Sequence, residues 1–197
     1  MNFEGSFKLA KQYGAQTEPW EMADLYDAIL ATPAGDVLEV GSASGGTTIV
    51  LFAAAEQVRK RVYAVDPYPV ELEGVASHYL AGSMARLRES FRSNILKRFD
   101  VTHFPVTLEA AIDRIPPLSV AFIDSLHELD QCRAEFDLVY GKMVPGGMIF
   151  VHDVGWELGQ LTRKKEGGLR HMSQVVADGG YKCRGIKTNR NMLCVTI

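Results

Sequence analysis

Residues 36–48 constrain this chain more than any other stretch: Asp36-Val37-Leu38-Glu39-Val40-Gly41-Ser42-Ala43-Ser44-Gly45-Gly46-Thr47-Thr48. Val37, Leu38 and Val40 form the short apolar run of a strand covered on both faces. Glu39 interrupts that run with a carboxylate, which is costly to bury unless something satisfies it. Gly41 and Gly45 permit a tight turn and the close approach of a ligand. The apolar helix that follows, Ile49 to Ala55, points its unpaired N–H groups and positive dipole end into the turn. Strand, glycine turn and helix together describe a nucleotide-type pocket.

The rest of the chain repeats the same alternation. Thr17 reads as the N-cap of a helix to about Leu30, with Pro19 in its first turn. Arg61 to Val65 reads as a second strand ending at Asp66-Pro67-Tyr68-Pro69, where the prolines forbid regular helix. Residues 70–78 read as a loop. Leu80, Met84, Leu87, Phe91, Ile95 and Leu96 predict a long helix from Tyr79 to about Phe99. A third strand at Val101–Phe104 and a short helix at Leu108–Ile112 follow. A fourth strand at Leu118–Ile123 ends at Asp124, and a helix spans about Leu129 to Lys142. Pro145-Gly146-Gly147 turns the chain into a fifth strand, Met148–Val151, ending at His152-Asp153. A helix of about Leu169 to Ala177 precedes Tyr181–Lys187 and Met192–Ile197, which read as an antiparallel hairpin.

This pattern implies an α/β fold: a doubly wound, mainly parallel sheet with helices on both faces and a C-terminal antiparallel hairpin. At 197 residues, with no repeat and no clear linker, the expectation is a single domain, 1–197. Residues 1–16 form an N-terminal extension whose Phe3 and Phe7 either pack on the body or cover a ligand as a lid.

A net charge of -3 argues against a nucleic-acid partner, and the one dense basic run, Arg163-Lys164-Lys165, is short enough to be a solvated face. Cys132, Cys183 and Cys194 lack metal-type spacing and read as reduced thiols of a cytoplasmic protein. No signal peptide and no membrane-spanning run is evident. A homodimer is a candidate assembly on which the sequence gives no further information.

In doubly wound sheets, ligands bind outside the carboxyl ends of the strands. Those ends are Glu39–Gly46, Asp66, Pro105–Thr107, Asp124–His127 and His152–Asp153, and four of the five carry a carboxylate.

On these residues the chain resembles a class I S-adenosylmethionine-dependent methyltransferase. The motifs that carry the resemblance are Val37 to Gly45, Val65-Asp66-Pro67 and Lys142-Met143-Val144-Pro145-Gly146-Gly147. Phe122-Ile123-Asp124-Ser125-Leu126-His127 and Val151-His152-Asp153-Val154 are similar to elements of the small natural-product and sugar O-methyltransferases, which overlap with cephalosporin-hydroxylase-like proteins. The resemblance implies a Rossmann-like methyltransferase fold with seven strands, and O-methylation of a small-molecule hydroxyl on a sugar, natural product or phenol. It implies that Glu39, Gly41, Ser42, Ala43, Ser44, Gly45, Thr47, Asp66, Pro67, Thr107 and Asp124 contact the cofactor, with Asp66 at the ribose hydroxyls. One departure concerns adenine: relatives often carry Gly-Asp-Ser after the third strand, and this chain has Pro105-Val106-Thr107.

For catalysis the resemblance implies Asp124 and His127. His127 is the candidate base, its alternative being a helix cap or a substrate contact. Asp124, His152 and Asp153 are candidate ligands for Mg²⁺ or another divalent cation. Alternatively, Asp124 binds the cofactor's amino group and Asp153 fixes a loop. His78, His103 and His171 have no evident partner and read as surface or loop residues.

Two readings from other classes compete, beside a non-catalytic or hydroxylase-like member that rests on family analogy alone. Gly41-x-Ala43-x-x-Gly46 is a near miss to the dinucleotide fingerprint of an NAD(P)-dependent oxidoreductase, but the middle glycine is absent. A nucleic-acid methyltransferase would carry Asn/Asp-Pro-Pro-Tyr after the fourth strand, where this chain has Ile123-Asp124-Ser125-Leu126.

Overall fold

Alternation along strand β1 (Asp36–Val40) sorts its side chains between two cores. Val37 enters one apolar cluster, with residues of helices α1 (Phe3–Gln12), α2 (Pro19–Ala31) and α3 (Gly46–Gln57). Leu38 and Val40 enter the other, on the opposite face. The computed structural model of the protein describes residues 1–68, 84–125, 128–154, 172–189 and 191–197. Several sequence expectations lie outside those residues: His127, the 70–78 loop with His78, the start of the helix at Tyr79, the basic run Arg163–Lys165, the start of the helix at Leu169, and His171.

The remaining elements are β2 (Val62–Val65), α4 (Met84–Phe91), β3 (Val101–Phe104), α5 (Leu108–Ala111), β4 (Leu118–Ile123), α6 (Leu129–Tyr140), β5 (Met143–Val151), α7 (Met172–Asp178), β6 (Gly185–Asn189) and β7 (Met192–Thr196). They build a seven-stranded sheet in the order β3-β2-β1-β4-β5-β7-β6. β1 to β5 run parallel, and β7 lies antiparallel between β5 and β6. The expected doubly wound sheet with a terminal hairpin is therefore present. The order reverses between β1 and β4, so their carboxyl ends open the crevice in which such sheets bind ligands. Phe91 and Ile95 join the cluster under α1, α2 and α3, whereas α5, α6 and α7 cover the second face. α3 is buried nearly throughout, as an all-round apolar helix must be.

Four local differences from the sequence reading have physical causes. The N-cap of α2 is Glu18, not Thr17, and Glu21 closes the cap by accepting the Glu18 N–H at 2.8 Å. Thr17 is withdrawn into a buried hydroxyl pair with Thr47, 2.8 Å apart. β5 begins at Met143, because Pro145-Gly146-Gly147 is a bulge within the strand and not a turn before it. Leu118 pairs with Met143 and Val120 with Met148, so residues 144–147 loop out opposite Ser119. The long helix ends in a π-helical turn, Arg92–Leu96. His103 lies within β3, half-buried, with its ring 4.4 Å from Phe91 and 5.9 Å from Tyr68. Burial and the nearby Arg88 charge push its pKa down to about 4, so the ring is neutral.

Residues 1–16 pack on the body. Ser6 and Ala10 are buried, and Phe3 and Phe7 rest against the first cluster.

Candidate active site

The glycine turn sits at the reversal point, and its glycines are required by close protein contacts. A Cβ on Gly41 would lie 2.1 Å from the Asp124 carbonyl oxygen. One on Gly45 would meet Ile95 at 2.2 Å, and one on Gly46 would meet the Ala15 backbone at 2.6 Å. Gly41 and Gly45 also have φ of 88° and 90°, the left-handed region that side chains disfavour. The expected close approach by a ligand is thus accompanied by close approach of β4, the π-helical turn and the 13–17 linker.

That linker is tied to the turn along its length. Ser44 Oγ donates to the Tyr13 carbonyl at 3.0 Å, and Thr17 pairs with Thr47. Lys11 Nζ donates to the carbonyls of Ala15 and Thr17 at 3.1 and 3.0 Å, holding the linker's bend. Of the turn residues singled out from sequence, Ser44 and Thr47 therefore have protein partners on this side.

Asp66 holds the opposite side. Its two oxygens accept the Ala43 N–H at 2.8 Å and the Tyr68 N–H at 2.9 Å. Tyr68, at φ 47°, returns its hydroxyl to the Ala43 carbonyl at 2.8 Å, with Ser42 Oγ 3.4 Å away. Burial raises the Asp66 pKa, and the two backbone N–H bonds oppose that shift. Each carboxylate oxygen keeps a lone pair for a further donor. Pro67 is exposed between the two. Thr107 is the exposed N-cap of α5, two strands from β1, and among the described residues forms no hydrogen bond with the other predicted ones.

Beneath the turn, Glu39 is 1 % exposed and accepts the Thr48 hydroxyl proton. The satisfaction that its place in the strand demands thus comes from α3. Burial pushes its pKa up to about 8; the Thr48 bond opposes this, and the charges of Asp124 and Asp66 add to it. The neutral acid is favoured at neutral pH.

Asp124 and His152 meet at the ends of β4 and β5. His152 Nδ1 lies 3.0 Å from Asp124 Oδ1 and 3.4 Å from Asp153 Oδ1. Its Nε2 lies 2.9 Å from Glu21 Oε2 on α2. Burial opposes a charged ring, but the bonds to Asp124, Asp153 and Glu21 and the Asp124 charge outweigh it, raising the His152 pKa to about 12. The ring is an imidazolium among three carboxylates. Asp153 stands at φ 58° and accepts from the Asn191 amide, which fixes the end of β5 to the hairpin turn.

Asp124, His152 and Asp153 each offer a ligand atom, and these atoms lie within 4.8 Å of one another. Two carboxylates and an imidazole suit a divalent cation. An ion there would replace the Nδ1 proton, so the residues fit such a group. Sequence reasoning missed Glu21, Tyr68 and the Thr17–Thr47 pair. Glu21 had a signal, the spacing Glu18-x-x-Glu21 of a capping box, which by itself indicates only a helix start.

A family model described as a methyltransferase domain matches residues 38–154, more than half of the chain. This chain belongs to the methyltransferase-domain family. No curated protein matches the methyltransferase in sequence. Solved structures share its fold. An O-methyltransferase from Bacillus cereus in complex with SAH aligns with TM-score 0.68 at 16 % identity over 99 % of this chain and 90 % of that one. TomG from Streptomyces achromogenes, an O-methyltransferase of tomaymycin synthesis in complex with SAM, aligns with TM-score 0.65 at 13 % identity over 99 % and 88 %. MycE of the mycinamycin pathway, in complex with Mg, SAH and mycinamycin VI, aligns with TM-score 0.62 at 14 % identity over 96 % of this chain and 52 % of that one. The antiparallel β7 between β5 and β6 also separates this methyltransferase from the dinucleotide-binding order of an oxidoreductase. Among the described residues no helix is long and apolar enough to cross a membrane.

Proposed function

We propose that this methyltransferase transfers a methyl group from S-adenosylmethionine to a hydroxyl oxygen of a small molecule, assisted by a divalent cation. The observation that carries the reading is the convergence of three groups at the β1/β4 reversal point: the glycine turn, the Asp66 carboxylate and the Asp124–His152–Asp153 cluster. A fold shared with SAH- and SAM-bound O-methyltransferases and with a methyltransferase bound to Mg and SAH supports it.

S-adenosylmethionine supplies an electrophilic methyl group on a sulfonium. Asp66, anchored by Ala43 and Tyr68, accepts the ribose hydroxyls with its remaining lone pairs. Glu39, buried under the turn, orders it near the methionine end. Asp124, His152 and Asp153 would hold the cation, which would supply positive charge to the acceptor oxygen. His127 takes the acceptor's hydroxyl proton as methyl transfer proceeds in line. Residues 1–197 act as one domain, with Tyr13 of the N-terminal extension and Thr17 just after it bracing the turn.

Titration calorimetry with S-adenosylhomocysteine and with NAD tests the cofactor: binding of the first and not the second is expected, and the reverse overturns the reading. A methyl-transfer assay on sugars, phenols and aliphatic alcohols, with and without chelator, tests the rest. Turnover unchanged by chelator removes the cation, and full turnover by His127→Ala removes the base.

A further inference from the structure

Glu21 does more than close a helix end. A capping carboxylate normally stands in water, where both oxygens are solvated. Glu21 is 0 % exposed, and among the described residues its Oε1 has no hydrogen-bond partner. Burying such a group is unfavourable unless a specific neighbour requires it. The neighbour is His152: Oε2, which also accepts the Glu18 N–H, lies 2.9 Å from Nε2. The opposite ring nitrogen, Nδ1, faces Asp124 at 3.0 Å and Asp153 at 3.4 Å. One nitrogen is thus committed to a buried carboxylate, and the other points into the cluster. Histidines that ligate metals are oriented this way, by a carboxylate on the far nitrogen that fixes ring and tautomer and raises ligand basicity. Glu21 comes from α2, outside the stretch matched by the family model.

We infer that Glu21 is the outer carboxylate of a carboxylate–histidine–cation arrangement, and that His152 is therefore a nitrogen ligand to a first-row transition ion such as Mn²⁺ or Co²⁺. On ion entry the Nδ1 proton would leave to solvent and its electron pair would form the new bond, while the other proton would stay on Nε2, donated in a hydrogen bond to Glu21. A mixed set of one imidazole and two carboxylates suits such ions better than Mg²⁺, which prefers oxygen alone. The inference rests on the proposed cation-assisted reading and specifies its ion. Glu21 is a positioning residue in it.

The test is electron spin-echo spectroscopy of the whole protein with one equivalent of Mn²⁺, beside calorimetry for Mn²⁺, Mg²⁺ and S-adenosylhomocysteine. Bound Mn²⁺ should show the ¹⁴N modulation of a coordinated imidazole, retained in His127→Ala and lost in His152→Gln. Glu21→Gln preserves the capping oxygen but not the charge. It should weaken Mn²⁺ binding by about 10- to 100-fold and leave S-adenosylhomocysteine affinity unchanged, with Glu21→Asp recovering part of the loss. Bound Mn²⁺ without nitrogen modulation overturns the inference, and that reading needs no variant. Unchanged Mn²⁺ affinity in a folded Glu21→Gln also overturns it. S-adenosylhomocysteine binding without Mn²⁺ binding overturns the inference and spares the methyl-transfer reading; binding of neither overturns both.

Discussion

Gly41 rests directly on the carbonyl of Asp124, at a distance where an added Cβ would stand 2.1 Å from the oxygen. The turn after β1 and the acid after β4 are therefore mechanically one unit. Gly41→Ala should destabilise the fold by at least about 1–3 kcal/mol from the left-handed backbone alone, with the clash adding to it. Urea denaturation checks the loss. A variant that folds with wild-type stability would mean that the turn and Asp124 are not in contact in solution.

Glu39 makes stability depend on pH. Its carboxyl titrates near 4.5 when unfolded and at about 8 when folded. Below the lower value both states hold the proton. Between the two only the folded state does, so rising pH favours unfolding, by roughly 1.4 kcal/mol per pH unit for this group. Glu39→Gln should flatten the wild-type loss of stability between about pH 5 and about pH 8. Parallel stability–pH curves for the two proteins would show that Glu39 ionises normally.

Thr17 and Thr47 share one buried hydroxyl–hydroxyl bond across the linker. Replacing either alone by Val strands its partner and should cost about 1–3 kcal/mol. Replacing both should cost less than the sum, because no polar group is left unpaired. A double-mutant cycle of unfolding free energies measures this, and strict additivity would contradict the pair.

Asp66→Asn keeps the size of the side chain but halves its acceptors, while two backbone N–H groups still demand oxygen. S-adenosylhomocysteine affinity should fall at least about tenfold, the equivalent of one hydrogen bond to a charged group. Calorimetry decides, and an unchanged Kd would place the ribose elsewhere.

The fold was legible because its signals are local. β1, β2 and β4 announce themselves as apolar runs between turn residues, and the hairpin of β6 and β7 by its polar connection. What was not legible depends on partners remote in sequence. Thr17 carries every local mark of an N-cap, yet Thr47 claims its hydroxyl. Glu21 looks like a cap residue and is one, but only the packing of α2 against the end of β5 brings it to His152. Pro145-Gly146-Gly147 reads as a turn because its backbone is turn-like. That it bulges within a strand follows from the pairing of Leu118 with Met143. His103 seemed to be on the surface because its covering ring, Phe91, belongs to another element. For the candidate site, the strand-end rule points to Glu39, Asp66, Asp124, His152 and Asp153 but cannot say what each is bonded to.

The π-helical turn at Arg92–Leu96 gives the chain a sense of phase. It accommodates one more residue per turn than an α-helix of the same rise would hold, and Ile95 within it closes over Gly45. Excising a single residue from α4, ahead of that turn, would rotate Ile95 about the helix axis by about 100°. Ile95 would swing off the turn although no residue of the turn had changed. The glycine turn is thus keyed to a helical register set some fifty residues downstream (Gly45 to Ile95), so an insertion or deletion in that helix acts at the candidate site as surely as a substitution there.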